Sequence, residues 1–205
     1  MNKKNINPVK LINYYKLINH NLIYNNKAIN RYKKDNFEIS GDMAEKLEKL
    51  KKSILSLNNC DLKKQARNIV FSDGNPNSKI MLIGEAPGAN EDKEGLPFVG
   101  RAGILLDKML TAINLDRKNI YISNIINYRP PDNRKPTDKE MQRYLPFILK
   151  HIEIIGPKIL VLLGSTAMHA IIGNKDVISK IRGKWIEKKF GTCVTSVLVT
   201  FHPAF

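Results

Sequence analysis

Four short apolar runs divide most of the chain into regularly spaced elements. The runs cover 80–83, 120–126, 159–163 and 194–201, and the segments between them, 103–113, 137–155 and 165–172, carry apolar residues at helical spacing. Short apolar runs bounded by glycine and polar residues are typical of buried strands. Strands that alternate with helices predict an α/β fold, with three αβα layers around a central, mainly parallel, four-stranded sheet.

The first 42 residues follow a different pattern. One amphipathic helix is predicted there by the spacing of Leu11, Tyr14, Leu17, Ile18 and Leu22. A second helix is predicted from about Met43, with an apolar side formed by Leu47, Leu50, Ile54 and Leu57. We therefore expect an N-terminal helical and basic extension, 1–42, followed by the main domain, 43–205.

The composition restricts the class of protein. With 205 residues, 42% of them hydrophobic, the chain is long enough for one domain and too apolar to be wholly disordered. No apolar run approaches the roughly 20 residues of a membrane-spanning helix, and no signal-peptide core follows the basic N-terminus. Two cysteines, Cys60 and Cys193, cannot build a disulfide scaffold. We expect a soluble, cytoplasmic, monomeric protein.

The charge indicates a polyanionic partner. The sequence contains 34 Lys and Arg residues against 19 Asp and Glu residues, which gives a net charge of +15 and a pI near 9.8. A pI above about 9 is typical of nucleic-acid-binding domains, which neutralise phosphates without reading the base sequence. The alternative is compositional bias, since the chain is rich in Lys, Asn and Ile. Charge alone does not identify the chemistry.

Polar residues follow three of the predicted strands. Glu85 lies in a Gly/Pro turn, 84–88, directly after the first strand, and Asn124 lies near the end of the second. His202, whose backbone is restrained by Pro203, follows the last strand. Parallel strands end at one edge of their sheet, where ligands bind in α/β folds. The three segments therefore predict one active site at the carboxyl edge of the sheet.

Taken singly, these residues have ordinary structural explanations. Phe98, in the Gly/Pro-rich loop 95–100, is either a hydrophobic plug or a platform on which a base stacks. Asn124 either caps a strand end or hydrogen-bonds the edge of a base. Glu85 is either a solvated acid in a turn or a pocket residue. Only their combination at one edge favours the functional interpretation.

Basic residues near the same edge suit phosphate groups. Arg101 begins a predicted helix in the glycine-rich turn 100–103, where free N–H groups favour an anion. Arg129, Arg134 and Lys135 lie in a proline-rich loop, which is otherwise a solvated surface turn. The remaining histidines, His20, His151 and His169, have no evident partners and are expected to be surface or packing residues.

In combination, the motifs resemble the family 4 (type 4) uracil-DNA glycosylases from about Lys46 to the last residue. The matching segments are Gly84-Glu85-Ala86-Pro87-Gly88 with Glu91 and Asp92, the loop 95–103 with Pro97-Phe98-Val99-Gly100, Asn124, the Arg129-Pro130-Pro131 loop, and His202-Pro203-Ala204. The resemblance implies the uracil-DNA glycosylase fold. It also implies a monofunctional hydrolase for base-excision DNA repair, which cleaves the N-glycosidic bond of uracil in DNA and leaves an abasic site.

The resemblance also implies roles for the matching residues. Uracil is flipped out of the DNA into the pocket, where Phe98 stacks on it and Asn124 hydrogen-bonds its N3/O4 edge. Glu91 lines the wall near C5, and His202 donates to O2 as the uracil anion leaves. Glu85 positions the attacking water at C1′. The division of this last task between Glu85 and the backbone of Ala86 is left open, and the basic residues named above contact DNA phosphates.

The chain departs from the family at the iron-sulfur site. Family members usually hold a [4Fe–4S] cluster on four cysteines, and the corresponding positions here are Leu57, Cys60, Tyr128 and Tyr144. A cluster needs thiolate ligands, of which only Cys60 remains, and Cys193 lies too far along the chain to substitute. We predict that the chain has no cluster and no other metal, and that the two tyrosines fill the vacated volume.

The C-terminus is the second departure. The family continues past His-Pro-Ala with a loop that wedges into the duplex and a final helix, whereas this sequence ends at Phe205. The expectation is a C-terminally truncated domain with weakened activity and a preference for single-stranded DNA, where no base pair must be broken. Two alternatives stay open at this point: a non-catalytic DNA-binding remnant, and a nucleotide- or phosphate-binding module.

Overall fold

The elements were identified in a computed structural model that describes residues 39–173 and 176–204, all within one unit, Glu38–Phe205. The strands are β1 (Asp73–Gly74), β2 (Ile80–Gly84), β3 (Tyr121–Asn124), β4 (Ile159–Leu163), β5 (Trp185–Phe190) and β6 (Cys193–Thr200). The helices are α1 (Met43–Leu55), α2 (Asp61–Gln65), α3 (Ala89–Glu94), α4 (Arg101–Thr111), α5 (Asp138–Ile155), α6 (Ser165–Ile172) and α7 (Ile178–Ile181). The helix predicted around Leu11–Leu22 lies outside the described residues.

The sheet has the strand order β1-β3-β2-β4-β6-β5. Its four central strands, β3, β2, β4 and β6, are parallel to one another, and they are the four apolar runs of the sequence, which confirms the predicted sheet. β2 pairs with β3 through Gly84 opposite Asn124, and with β4 through Ile83 opposite Leu162. β2, β3, β4 and β6 therefore all end at one edge, and their following loops start there.

Two further strands extend the sheet on either side. β1 pairs antiparallel with β3, and β5 pairs antiparallel with β6. The sequence analysis missed both. β5 contains Glu187, Lys188 and Lys189, so it has no apolar run, and β1 is only two residues long. Charged edge strands are common in proteins because they discourage pairing with another chain.

Alternate residues of the strands supply two separate cores. Met81 and Ile83 of β2 belong to the larger core, which includes buried residues of α1, α5 and α6. Leu82 faces the opposite way and packs with Leu106 and Leu110 of α4. This period-two alternation places helices on both faces of the sheet, as the αβα prediction requires.

Helix boundaries agree with the predicted segments to within about two residues, and their ends follow from local chemistry. α5 begins after Thr137, whose side chain accepts from the Glu140 N–H while the Glu140 carboxylate accepts from the Thr137 N–H. It ends at Gly156, which adopts the left-handed conformation that glycine tolerates best. Among residues 39–173 and 176–204, no helix combines the length and apolarity needed to cross a bilayer.

Candidate functional site

Gly84, Phe98, Asn124 and His202, called the pocket rim below, meet at the carboxyl edge of the sheet. A Cβ atom built on Gly84 would lie 2.5 Å from Asn124 Oδ1 and 2.5 Å from Phe98 Cζ. The Phe98 ring in turn stacks on the His202 ring, with centroids 5.6 Å apart and planes 28° from parallel. The structure therefore brings together residues that are separated by more than 100 positions in the sequence.

Phe98 belongs both to the hydrophobic core and to the pocket rim. It is 5% exposed and packs with Leu82 and Leu106, so one part of the ring belongs to the core of the α4 face. Another part reaches Gly84 and His202 at the pocket rim. Its backbone has a positive φ of 55°, an uncommon conformation for an aromatic residue. The loop around it must hold that conformation against its intrinsic cost.

Asn124 presents a buried amide that nothing in the described part of the protein uses. The residue is 2% exposed at the last position of β3, and its side chain makes no hydrogen bond to any described residue. Asn127, three residues later and 4% exposed, instead donates from Nδ2 to the Val70 carbonyl at 3.0 Å. The Asn124 amide is not among the fully enclosed unpaired side-chain atoms of the described residues, so it keeps some access to solvent and can reach a ligand at the pocket rim.

His202 is held in one orientation by the backbone that follows it. Its Nδ1 accepts a hydrogen bond from the Ala204 N–H at 3.1 Å. In the neutral ring the proton is therefore on Nε2, which makes Nε2 a hydrogen-bond donor. Burial lowers the pKa of His202 below its usual value, although the negative charges of Glu85 and Glu91 oppose this shift. The neutral, donating form is thus favoured at neutral pH.

Glu85 follows β2 and is oriented by a residue that sequence reasoning missed. The Thr166 hydroxyl, near the start of α6, donates to Glu85 Oε2. Thr166 is 9% exposed, whereas Glu85 and the neighbouring Ala86 are half-buried. A threonine in an apolar helical segment carries no signal of this contact, because Glu85 lies 81 residues away in the chain. The contact fixes one carboxylate oxygen and leaves Oε1 for a further partner.

Glu91 holds the loops around the pocket together. Its Oε1 accepts from the N–H groups of Val99 and Gly100 at 3.0 and 2.7 Å, and its Oε2 accepts from the Gly88 N–H at 3.1 Å. The carboxylate therefore joins the turn after β2 to the loop that carries Phe98. This structural task accompanies the position at the pocket wall that the family resemblance implies.

The four basic residues expected to contact DNA phosphates differ in how free they are. Arg101 is exposed at the first position of α4, and Lys135 is exposed in the proline-rich loop. Arg129 donates from Nε to Asn133 Oδ1 at 2.7 Å. Arg134 makes two hydrogen bonds to Glu140, at 2.7 and 2.8 Å, and these bonds lower the pKa of Glu140 to about 2. Arg134 is thus already paired with an acid.

The positions that correspond to the iron-sulfur ligands of the family form what we call the Cys60 corner: Leu57, Cys60, Tyr128 and Tyr144. Three of them, Cys60, Tyr128 and Tyr144, are buried in the larger core, and the half-buried Leu57 packs against it. Cys60 Sγ lies 3.2 Å from Tyr144 Oη. The Tyr128 hydroxyl is buried without a partner among the described residues. Burial raises the pKa of both tyrosines, so both hydroxyls are protonated at neutral pH.

The Cys60 corner does not fit a [4Fe–4S] cluster. It offers one thiol, already in contact with Tyr144, where a cluster requires four thiolates. No group of three or more His, Cys, Asp or Glu residues in the described part of the chain could hold a metal ion. The two tyrosine side chains are 3% and 1% exposed, and they occupy the interior there.

His151 differs from its expectation of having no partner. It is 1% exposed on α5, its Nε2 lies 2.8 Å from the Tyr121 hydroxyl, and its ring stacks on Phe71 with centroids 4.6 Å apart. Burial lowers its pKa to about 3. His169 is exposed on α6, and His20 lies outside the described residues. His151 is therefore a packing residue of the core, away from the pocket rim.

Comparisons with known proteins point to one family. The model of the uracil DNA glycosylase superfamily matches residues 71–205. The type-4 uracil-DNA glycosylases of Sulfurisphaera tokodaii and Thermotoga maritima are each 42% identical to the chain, over 77% and 71% of its length and 74% and 75% of theirs. The type-4 uracil-DNA glycosylase of Archaeoglobus fulgidus is 38% identical, over 78% of this chain and 82% of its own.

Proposed function

This chain belongs to the uracil-DNA glycosylase superfamily, and on that premise we propose how its pocket rim carries out the reaction. The chain is a uracil-DNA glycosylase of DNA repair, a hydrolase acting on N-glycosyl bonds. Its substrate is uracil-containing DNA, and its products are free uracil and an abasic site. The target base leaves the stack to enter the pocket, since the glycosidic bond cannot be reached inside a duplex.

The proposed recognition step uses Phe98 and Asn124. The flipped base stacks on Phe98, and the Asn124 amide donates to O4 and accepts from N3–H, a pairing that cytosine, with its opposite pattern, does not match. Gly84 allows both side chains to approach, since any Cβ there would collide with them. Glu91 keeps the wall of the pocket in place through its three backbone hydrogen bonds.

The proposed chemical step uses Glu85 and His202. Water held by Glu85, together with the backbone near Ala86, attacks C1′ while the bond from C1′ to N1 breaks, and the proton that the water loses is taken by Glu85 and ends on the released uracil. The bonding electrons leave with uracil, and His202 Nε2–H donates to O2, where the negative charge develops. The Ala204 N–H supports this role because it occupies Nδ1 and so keeps the proton on Nε2.

The unpaired amide of Asn124 is the observation that carries this proposal. The test measures uracil release from a uracil-containing oligonucleotide by the wild type, Asn124→Ala and His202→Ala. Each substitution should lower the rate roughly 100-fold or more, because each removes a contact to the base or to its developing charge. The unfolding midpoint of Asn124→Ala should fall less than that of a variant that also breaks a buried hydrogen bond, since Asn124 loses only packing contacts.

Asn127→Ala is the matched control, because Asn127 is the same residue type at similar burial. It should lose about 1–2 kcal/mol of unfolding free energy with its bond to Val70, and keep its activity. Soluble, folded wild-type protein that binds DNA in a salt-sensitive manner, yet releases no uracil from any substrate, would overturn the proposal in favour of a DNA-binding remnant.

We also propose that the enzyme works without the [4Fe–4S] cluster of its family. The single thiol and two protonated hydroxyls of the Cys60 corner support this. Protein purified anaerobically, without chelator, should contain far less than one iron per chain and keep its activity. The triple variant Leu57→Cys, Tyr128→Cys, Tyr144→Cys serves as the control for cluster assembly. About four irons per wild-type chain would end this proposal.

We also propose which form of DNA the enzyme prefers, that it is a monomer, and where in the cell it acts. Single-stranded uracil DNA should react faster than a duplex in the same assay, since flipping then breaks no base pair. Equal or faster release from the duplex would contradict this preference. The enzyme should also elute as a monomer, and we expect it to act in the cytoplasm.

A further inference from the structure

Arg117 lies in the turn between α4 and β3, and it was not singled out by any motif. Its guanidinium donates to the carbonyls of both Pro97 and Phe98, the first at 3.1 Å. The same group pairs with Asp73 at 2.6 Å and with Asp107 at 3.0 Å. All three donor nitrogens of the planar fork are therefore used at once, which a lysine cannot reproduce.

These contacts concern the one loop whose backbone is strained at the pocket. Phe98 has a positive φ, and its carbonyl is enclosed by Arg117 on one side and by the backbone of Gly103 on another. Glu91 holds the next two amides of the loop, those of Val99 and Gly100. A basic side chain thus binds the carbonyls before the bend, and an acidic side chain binds the amides after it.

The two carboxylates fix Arg117 in turn. Burial by itself lowers the pKa of Arg117, but its hydrogen bonds to Asp73 and Asp107 raise it above the usual value. Asp73 belongs to β1 and Asp107 to α4, so the guanidinium is anchored to the sheet and to the helix that begins three residues after Phe98. An anchored donor transmits the rigidity of those elements to the loop.

We propose that Arg117 is a positioning residue for catalysis, which holds the Phe98 platform at the angle and height that the flipped base requires. The inference rests on the proposed function, because Phe98 is taken to stack on the base. Arg117 itself does not touch the substrate. Its effect on activity should therefore pass through Phe98, and this gives the role a signature that a general loss of stability lacks.

The first test is a double-mutant cycle on uracil release with Arg117→Met and Phe98→Ala. Arg117→Met should lower kcat/KM roughly 10- to 100-fold in the wild-type background, because small misplacements of a positioning group are costly. In the Phe98→Ala background the same change should cost less than about 3-fold. Equal losses in the two backgrounds would overturn the proposal, since Arg117 would then act only through overall stability.

Two further variants test whether the loss of activity is specific to the contacts that Arg117 makes with the Phe98 loop. Arg143 also donates to two backbone carbonyls, those of Asn58 and Asn59, in the loop after α1. Arg143→Met removes a similar clamp elsewhere and should leave kcat/KM within about 2-fold of the wild type. Arg117→Lys keeps the charge and helps the protein fold, but it cannot bridge four acceptors. It should resemble Arg117→Met in activity, and wild-type activity in Arg117→Lys would contradict the fork geometry.

A second readout needs no activity. The ring of Phe98 stacks on His202, so the position of Phe98 affects the NMR resonance of the His202 ring, assigned by its loss in His202→Gln. Arg117→Met should move this resonance towards its position in Phe98→Ala, and Arg143→Met should not. An unmoved resonance would refute the positioning role even in an active enzyme. Absence of uracil release by the wild type would refute the proposed function instead.

Discussion

The pocket rim and the Cys60 corner both place polar groups in the interior, and they treat those groups in opposite ways. At the pocket rim the Asn124 amide has no hydrogen-bond partner among residues 39–173 and 176–204, and the Nε2 proton of His202 is kept as a donor by the Ala204 N–H. At the Cys60 corner the thiol and the Tyr144 hydroxyl satisfy each other. The polar groups of the pocket rim thus stay available to a ligand, whereas the polar groups of the Cys60 corner bind each other.

The Tyr128 hydroxyl is the exception within this comparison. It is buried beside Cys60 and unpaired among the described residues, yet unlike Asn124 it faces the core of α1 and α5. An unpaired hydroxyl inside a core costs stability and serves no substrate. The comparison therefore predicts that changes at the pocket rim alter activity, and that changes at the Cys60 corner alter stability.

Gly84→Ala should have the largest effect. The new Cβ must displace the Asn124 amide or the Phe98 ring, so we expect uracil release to fall roughly 100-fold in a folded protein. Gly173→Ala is the control, because its Cβ meets nothing within 4 Å while its positive φ costs about 1 kcal/mol. Near-wild-type release by Gly84→Ala would mean that the crowding above Gly84 does not matter.

The next largest expected effect is a pH dependence of the free energy of unfolding, caused by the buried His151. His151 has a pKa near 3 when folded and about 6.5 when unfolded, so between these values only the unfolded chain binds the proton. The contribution of His151 to stability should thus fall as the pH drops below about 6.5, by up to about 1.4 kcal/mol per unit, and level off near pH 3. Urea unfolding at several pH values measures this slope.

His151→Gln should flatten that slope, whereas His169→Gln should not, since His169 is exposed. The same slope in the wild type and His151→Gln would assign the acid sensitivity to another group.

Burial also lowers the pKa of His202, so uracil release should persist below pH 6.5 and decline only as the His202 ring becomes protonated. A pH profile on folded protein separates these two histidines.

Thr166→Val should have a smaller effect on catalysis. It removes the hydroxyl that donates to Glu85 with little change of shape, so we expect kcat to fall roughly 10-fold with KM nearly unchanged. Thr195→Val is the matched control, because the buried Thr195 hydroxyl donates to the Pro157 carbonyl at 2.8 Å instead. It should lose stability and keep kcat. An equal fall of kcat in both variants would mean that Thr166 only supports the fold.

The two tyrosines of the Cys60 corner should have the smallest effects, and of opposite sign. Tyr144→Phe removes the contact with Cys60 and should cost about 1 kcal/mol of unfolding free energy. Tyr128→Phe removes an unpaired hydroxyl and should be neutral or stabilising by about 1 kcal/mol. Both should release uracil at the wild-type rate. A large loss of activity in either would connect the Cys60 corner to catalysis.

The strand pattern and the polar residues that follow it, taken together, predicted more of the site than any single residue did. Apolar runs gave the central strands, and the rule that parallel strands end together placed Glu85, Asn124 and His202 at one edge. The supporting contacts were not predictable in this way. Arg117 and Thr166 stand in segments that look like an ordinary charged turn and an ordinary helix, and their partners lie 19 and 81 residues away.

The sequence by itself determined the fold class, the four parallel strands, the family and the presence of only two cysteines. These depend on local periodicity and on residues at fixed spacing, and both can be read directly from the sequence. Tertiary structure alone decided the charged edge strand β5, the unpaired state of Asn124, the tautomer of His202 and the bridge from Arg117 to Phe98. Each of these depends on which residues come close enough in space to hydrogen-bond a given group. The pattern of residues along the chain does not give those distances.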